Sequence, residues 1–155
     1  MILKNLLKID EGRIDRSRDI KVILSWTRML TTPRKGFWSK LWGFIKNEPY
    51  IITTLLKFEC TNVKSGSKYN CYLEMDPVNS RSKLLQAKVK IFCSCNDFKY
   101  RSAYILNKEN NLFHAPAIDK HLGIALTEAP KIVVTTNICK HLYAVINYVR
   151  NNLTT

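Results

Sequence analysis

Alternating and helical stripes of apolar residues divide the chain into segments. Residues 50–60 are rich in β-branched and aromatic side chains, and residues 63–68 have the composition of a turn. Residues 69–75 alternate up to Pro77. Residues 84–92 alternate again, with Leu85, Ala87, Val89 and Ile91 on one face and Gln86, Lys88 and Lys90 on the other. These runs predict an antiparallel meander of at least three strands with one wet face. In residues 140–150, Leu142, Val145, Ile146 and Val149 fall on a single helical stripe, which predicts a closing helix. Between sheet and helix, residues 107–136 contain Pro116 and Pro130 and read as an extended loop with short pieces of structure.

The first third is less decided. Residues 19–26 alternate as a strand would, placing Ile20, Val22, Leu24 and Trp26 on one face, but the same residues also permit a helix. Trp38, Leu41, Trp42 and Ile45 recur at i, i+3, i+4, i+7, and Glu48-Pro49 ends that stripe. Three uses are open to this helix. It can pack on the chain's own sheet, dock into a partner through Phe37, Trp38, Leu41 and Trp42, or lie on a membrane surface. Residues 1–9 read as a further short amphipathic helix. The organisation expected is α+β, with residues 1–49 an N-terminal extension carrying short amphipathic helices and residues 50–155 a β-meander plus a metal-binding domain.

Length and composition narrow the class. A chain of 155 residues suits one domain with a core of its own. No run of 18 apolar residues is present, so no transmembrane segment is expected. Lysines interrupt the apolar N-terminus and no small-residue cleavage site follows, so the protein is expected to stay in the cytoplasm where it is made. The formal charge of +13 attracts polyanions, leaving DNA, RNA and acidic proteins as candidate partners. Five cysteines without an export signal argue against a disulfide framework. Such cysteines are buried, catalytic or metal-bound, and their spacing discriminates.

Cys93-Ser94-Cys95 stands at the end of a predicted strand, and Cys139-Lys140-His141 at the start of the predicted helix. Zinc takes four nitrogen or sulfur ligands in a tetrahedron, so two cysteines one residue apart can share it if the chain turns sharply there. The second pair needs another device. Helical residues i and i+2 point about 200° apart, so Cys139 must sit on the cap with helix beginning near Lys140 or His141. Asn137 is a suitable capping residue nearby. The helix N-terminus would favour a thiolate at Cys139. Buried thiols with a surface histidine, or a redox CxC, are the alternatives. His114 and His121 are spare ligands or plain loop histidines. Cys60 and Cys71, near facing strand ends, are core thiols, a spare ligand or a regulatory pair.

Three cysteines and one histidine would saturate one structural Zn2+, whereas a catalytic zinc keeps a position open for water. The chain lacks G-x-S-x-G, P-loop, H-E-x-x-H and Gly-rich dinucleotide motifs and has only five glycines. No catalytic residues and no small-molecule substrate are expected.

The order CxC, a 43-residue spacer, then CxH entering a helix resembles the SWIM-type zinc finger. Residues 89–101, VKIFCSCNDFKYR, and 138–142, ICKHL, are similar to small bacteriophage proteins with a C-S-C-P-D-F-x-Y-R and C-K-H-L signature; Asn96 replaces the proline. That resemblance, over about residues 84–150, implies a non-enzymatic structural or assembly protein of a virion. It would be made in the host cytoplasm and partnered by other virion proteins. A nucleic-acid-binding zinc module, contacting DNA non-specifically through its basic charge, is the alternative.

Overall fold

A computed structural model of the chain describes residues 17–33, 50–76, 86–129 and 138–152. Strands β1 (Ile20–Pro33), β2 (Tyr50–Asn62), β3 (Lys68–Met75) and β4 (Val89–Cys93) form one antiparallel sheet in the order β1-β2-β3-β4. Among the described residues, four helices follow: α1 (Asn96–Arg101), α2 (Ala103–Lys108), α3 (Pro116–Leu122) with a 3-10 turn at Gly123–Leu126, and α4 (Lys140–Asn152). The class is α+β, as the alternation predicts.

The sheet begins inside the segment assigned to an N-terminal extension. Residues 20–33 form a full edge strand there, which settles the choice left open for residues 19–26 in favour of the strand; the short amphipathic helix expected over residues 1–9 lies outside the described residues. Ile20, Val22 and Leu24 share a face, but an irregularity between Leu24 and Trp26 shifts the register. Trp26 therefore falls opposite Lys57 on the other face, 6.3 Å from the Tyr72 ring. A bulge of this kind reverses side-chain alternation downstream of it. The stripe of Phe37, Trp38, Leu41 and Trp42 lies outside the described residues.

Phe58 and Cys60 of β2, Cys71, Leu73 and Met75 of β3, and Val89, Ile91 and Cys93 of β4 occupy one buried face. Helix α4 packs across this face against all four strands, burying Leu142, Val145, Ile146 and Val149 together with His141, Tyr143 and Ala144. Its Tyr148 ring meets Phe58 edge-on at 5.8 Å.

The opposite face is not simply wet, as the alternation of residues 84–92 suggests. Phe92 is buried there, edge-on to Phe98 of α1 at 5.6 Å, while Tyr72 stacks on Phe113 at 5.6 Å. Helices α1 and α3 and their connections thus form a second covering layer over β3 and β4. Residues 111–113 also line the outer edge of β4: the Ile91 N–H donates to Asn111 O (3.0 Å) and the Phe113 N–H to Ile91 O (3.1 Å). The loop expected over residues 107–136 therefore contains an ordered edge contact and a helix begun by Pro116 at its first turn.

The β2–β3 turn is set locally. The Asn62 side chain accepts from the N–H groups of Lys64 (3.0 Å) and Ser65 (3.3 Å), and Gly66 takes a φ of 70°, which favours glycine.

Candidate metal centre

Cys93 ends β4 with its side chain on the α4 face. The next residue makes the turn. The Ser94 N–H donates to Asn70 O at 3.0 Å, and Ser94 Oγ accepts from the Asn70 N–H at 3.0 Å. This double clamp to β3 fixes the chain between the two cysteines, so Cys95 leaves the strand and becomes the N-cap of α1. Its backbone is extended (φ −78°, ψ 151°) and its Sγ accepts from the Phe98 N–H at 3.3 Å. Asp97 in the first turn, paired with Arg101 at 3.1 Å, and Lys99 near the end suit the helix dipole.

The second pair enters from α4. Helix geometry begins at Lys140, and the Cys139 carbonyl accepts from the Tyr143 N–H at 3.1 Å, so Cys139 sits at the cap position that the spacing demands. Asn137 lies outside the described residues. His141, in the first turn, is 3% exposed and turns inward beneath Tyr69, whose ring centre is 4.3 Å away.

One ligand atom each from Cys93, Cys95, Cys139 and His141 lies within 4.8 Å of all the others, and all four residues are buried. His114 and His121 are not brought here: His114 Nδ1 pairs with Asp119 at 2.8 Å, and His121 packs edge-on to Phe92. Cys60 and Cys71 lie next to the cluster, Cys71 directly opposite Cys93 in the β3–β4 register.

Whether these residues fit a metal is decided by polar satisfaction. Neither ring nitrogen of His141 has a hydrogen-bond partner, although both are buried. An unsatisfied buried group of this kind costs about 1–3 kcal/mol, and a metal bond would satisfy one nitrogen. The thiols point the same way. Burial pushes Cys93 and Cys139 well above the ordinary thiol range, while hydrogen bonds from Cys139 and then Cys93 hold Cys95 far below it. The arrangement thus favours negative charge on Cys95 and disfavours it on the two more deeply buried sulfurs. Three sulfurs and one imidazole nitrogen are the donor set that suits zinc.

Sequence reasoning missed the Ser94–Asn70 clamp, helix α1 and the Tyr69 ring over His141. The first had a signal in the small hydroxyl residue between the two cysteines; the last depends on cross-strand register and had none.

Comparison with curated proteins and with solved structures gave no match. A family model described as SWIM zinc finger matches residues 69–104 and 135–150. These two stretches hold most of β3, β4, α1 and most of α4, and with them all four residues of the cluster, so it is through its candidate metal centre that the chain is similar to the SWIM zinc finger.

Proposed function

We propose that Cys93, Cys95, Cys139 and His141 hold one structural Zn2+, and that the chain is a non-enzymatic structural or assembly protein of a bacteriophage virion. The observation that carries this reading is the closed, buried Cys3His set with its unpartnered imidazole. Bound zinc would supply a crosslink between the β4–α1 junction and the start of α4. Cys93 and Cys95 hold the sheet side, while Cys139 and His141 hold the helix that covers the sheet. With four protein ligands the ion keeps no position for water or substrate, which supports a role in shape over one in chemistry. The virion role and location rest on the similarity of VKIFCSCNDFKYR and ICKHL to the phage signature.

The test has two arms. Metal analysis of reduced protein should give about one zinc per chain in a sulfur–nitrogen environment, and fractionation of particles from producing cells should find the protein with them. Folded protein without zinc would end the first half. Free protein absent from particles would end the second.

The +13 charge favours a second reading, a nucleic-acid-binding zinc module. Sequence-specific DNA binding at physiological salt, without particle association, would establish it. Weak, sequence-blind binding with a steep salt dependence belongs to the first reading.

A further inference from the structure

The cysteines outside the metal set are placed together. Cys60 lies opposite Tyr69, and Cys71 opposite Phe58, so the two are diagonal neighbours on adjacent strands facing α4. Their Sγ atoms are 3.6 Å apart and both side chains are fully buried. Cys71 also stands directly across from Cys93. One cysteine therefore has two sulfur neighbours of different standing: a metal ligand on β4 and a free thiol on β2.

We propose that Cys60 and Cys71 form a redox-active dithiol, separate from the metal set, that a low-molecular-weight disulfide closes to a Cys60–Cys71 disulfide while zinc remains bound. The clause about zinc rests on the metal reading above; the pairing does not. The sulfurs must approach by about 1.5 Å, and because diagonal neighbours on adjacent strands stand about 7–8 Å apart, closure draws the two strands together as well as turning the side chains. Cys60 attacks one sulfur of the small disulfide, forming a mixed disulfide and releasing one thiolate. Cys71 then attacks the Cys60 sulfur and releases the second. Two electrons pass from the cysteines to the reagent, and the two protons lost from the cysteines end on the two small thiols.

Access sets the pace. Cys60 is two residues from Asn62, where β2 gives way to the exposed turn at residues 63–66. Opening of that hairpin end admits a reagent without unfolding the sheet. The 3.6 Å approach of the two sulfurs names Cys60 as the partner of Cys71, and zinc held by Cys93 would add to that preference.

The experiment treats the full chain, with its zinc measured beforehand, with 2-hydroxyethyl disulfide, then counts thiols after denaturation and maps peptides without reduction. The expected result is a fall from the chain's five thiols by two, a single Cys60–Cys71 linkage, and unchanged zinc. Cys71→Ser should instead stop at the mixed disulfide on Cys60; the wild-type map stands if that variant fails to fold. An unchanged thiol count, or a first linkage containing Cys93, Cys95 or Cys139, overturns the proposal, as does release of zinc in step with thiol loss. Protein that carries no zinc at the outset defeats the metal reading alone, and a first linkage between Cys60 and Cys71 in that protein still supports the pairing.

Discussion

The imidazole of His141 lies beneath the phenol ring of Tyr69, their centres 4.3 Å apart and their planes tilted by 38°. Packing from β3 thus fixes the ring orientation of a residue on α4. Neighbours that orient a ligating imidazole commonly tune metal affinity, and hydrogen-bonded ones do so by about 10–100-fold; a packed ring belongs at the low end. Tyr69→Ala should therefore weaken zinc binding by about tenfold, measured by competition with a chelating dye. Tyr69→Phe should bind like the parent, because the contact is made by the ring.

The Ser94–Asn70 clamp is separable from the metal. Ser94→Ala removes the acceptor for the Asn70 N–H and should cost about 1 kcal/mol in denaturant unfolding of zinc-loaded protein. Ser94→Pro also removes the N–H that reaches Asn70 O, and should abolish stoichiometric zinc along with the turn.

Losing one ligand should uncouple helix from sheet. Cys139→Ser, or chelation of the parent, should expose α4 and the residues preceding it to protease and lower the unfolding midpoint. His114→Ala and His121→Ala should leave zinc content unchanged, since neither histidine lies in the cluster. A Cys139→Ser variant that melts like the parent would show that the metal contributes nothing to stability.

Proton release reports the state of the cluster. Burial pushes metal-free Cys93 and Cys139 up, whereas hydrogen bonds from Cys139 and Cys93 pull Cys95 down. Zinc binds Cys93 and Cys139 as thiolates and must displace their protons, so affinity falls as pH falls. Calorimetry in buffers of different ionisation enthalpy should count about two protons released per zinc from the thiols. A count near three would mean that Cys95 is also protonated before the metal arrives.

The sequence was most informative where chemistry and geometry were both restrictive. Cysteine and histidine are scarce, and a CxH pair cannot share an ion inside a regular helix, so the start of α4 at Lys140 follows from the spacing. The alternation of β3 and β4 was equally plain. By contrast, the bulge at Ser25 is a backbone event without a distinctive residue, and it moved Trp26 to the opposite face. Helices α1, α2 and α3 are six or seven residues long, too short for a periodic stripe to emerge. Phe92, read as the end of an alternating strand, is buried because those short helices cover it, a tertiary fact no local pattern carries.

The order in which the chain is synthesised acquires a meaning from α4. Ribosomes deliver the N-terminal strands first, yet the helix covering Phe58, Leu73 and Ile91 is the last described element. The sheet must wait, with one apolar face open, for a segment more than a hundred residues beyond β1. Contacts of such long range slow folding and prolong exposure to aggregation. Nascent chains stalled before residue 138 would therefore be the sticky species, because the helix that covers the sheet has not yet been made.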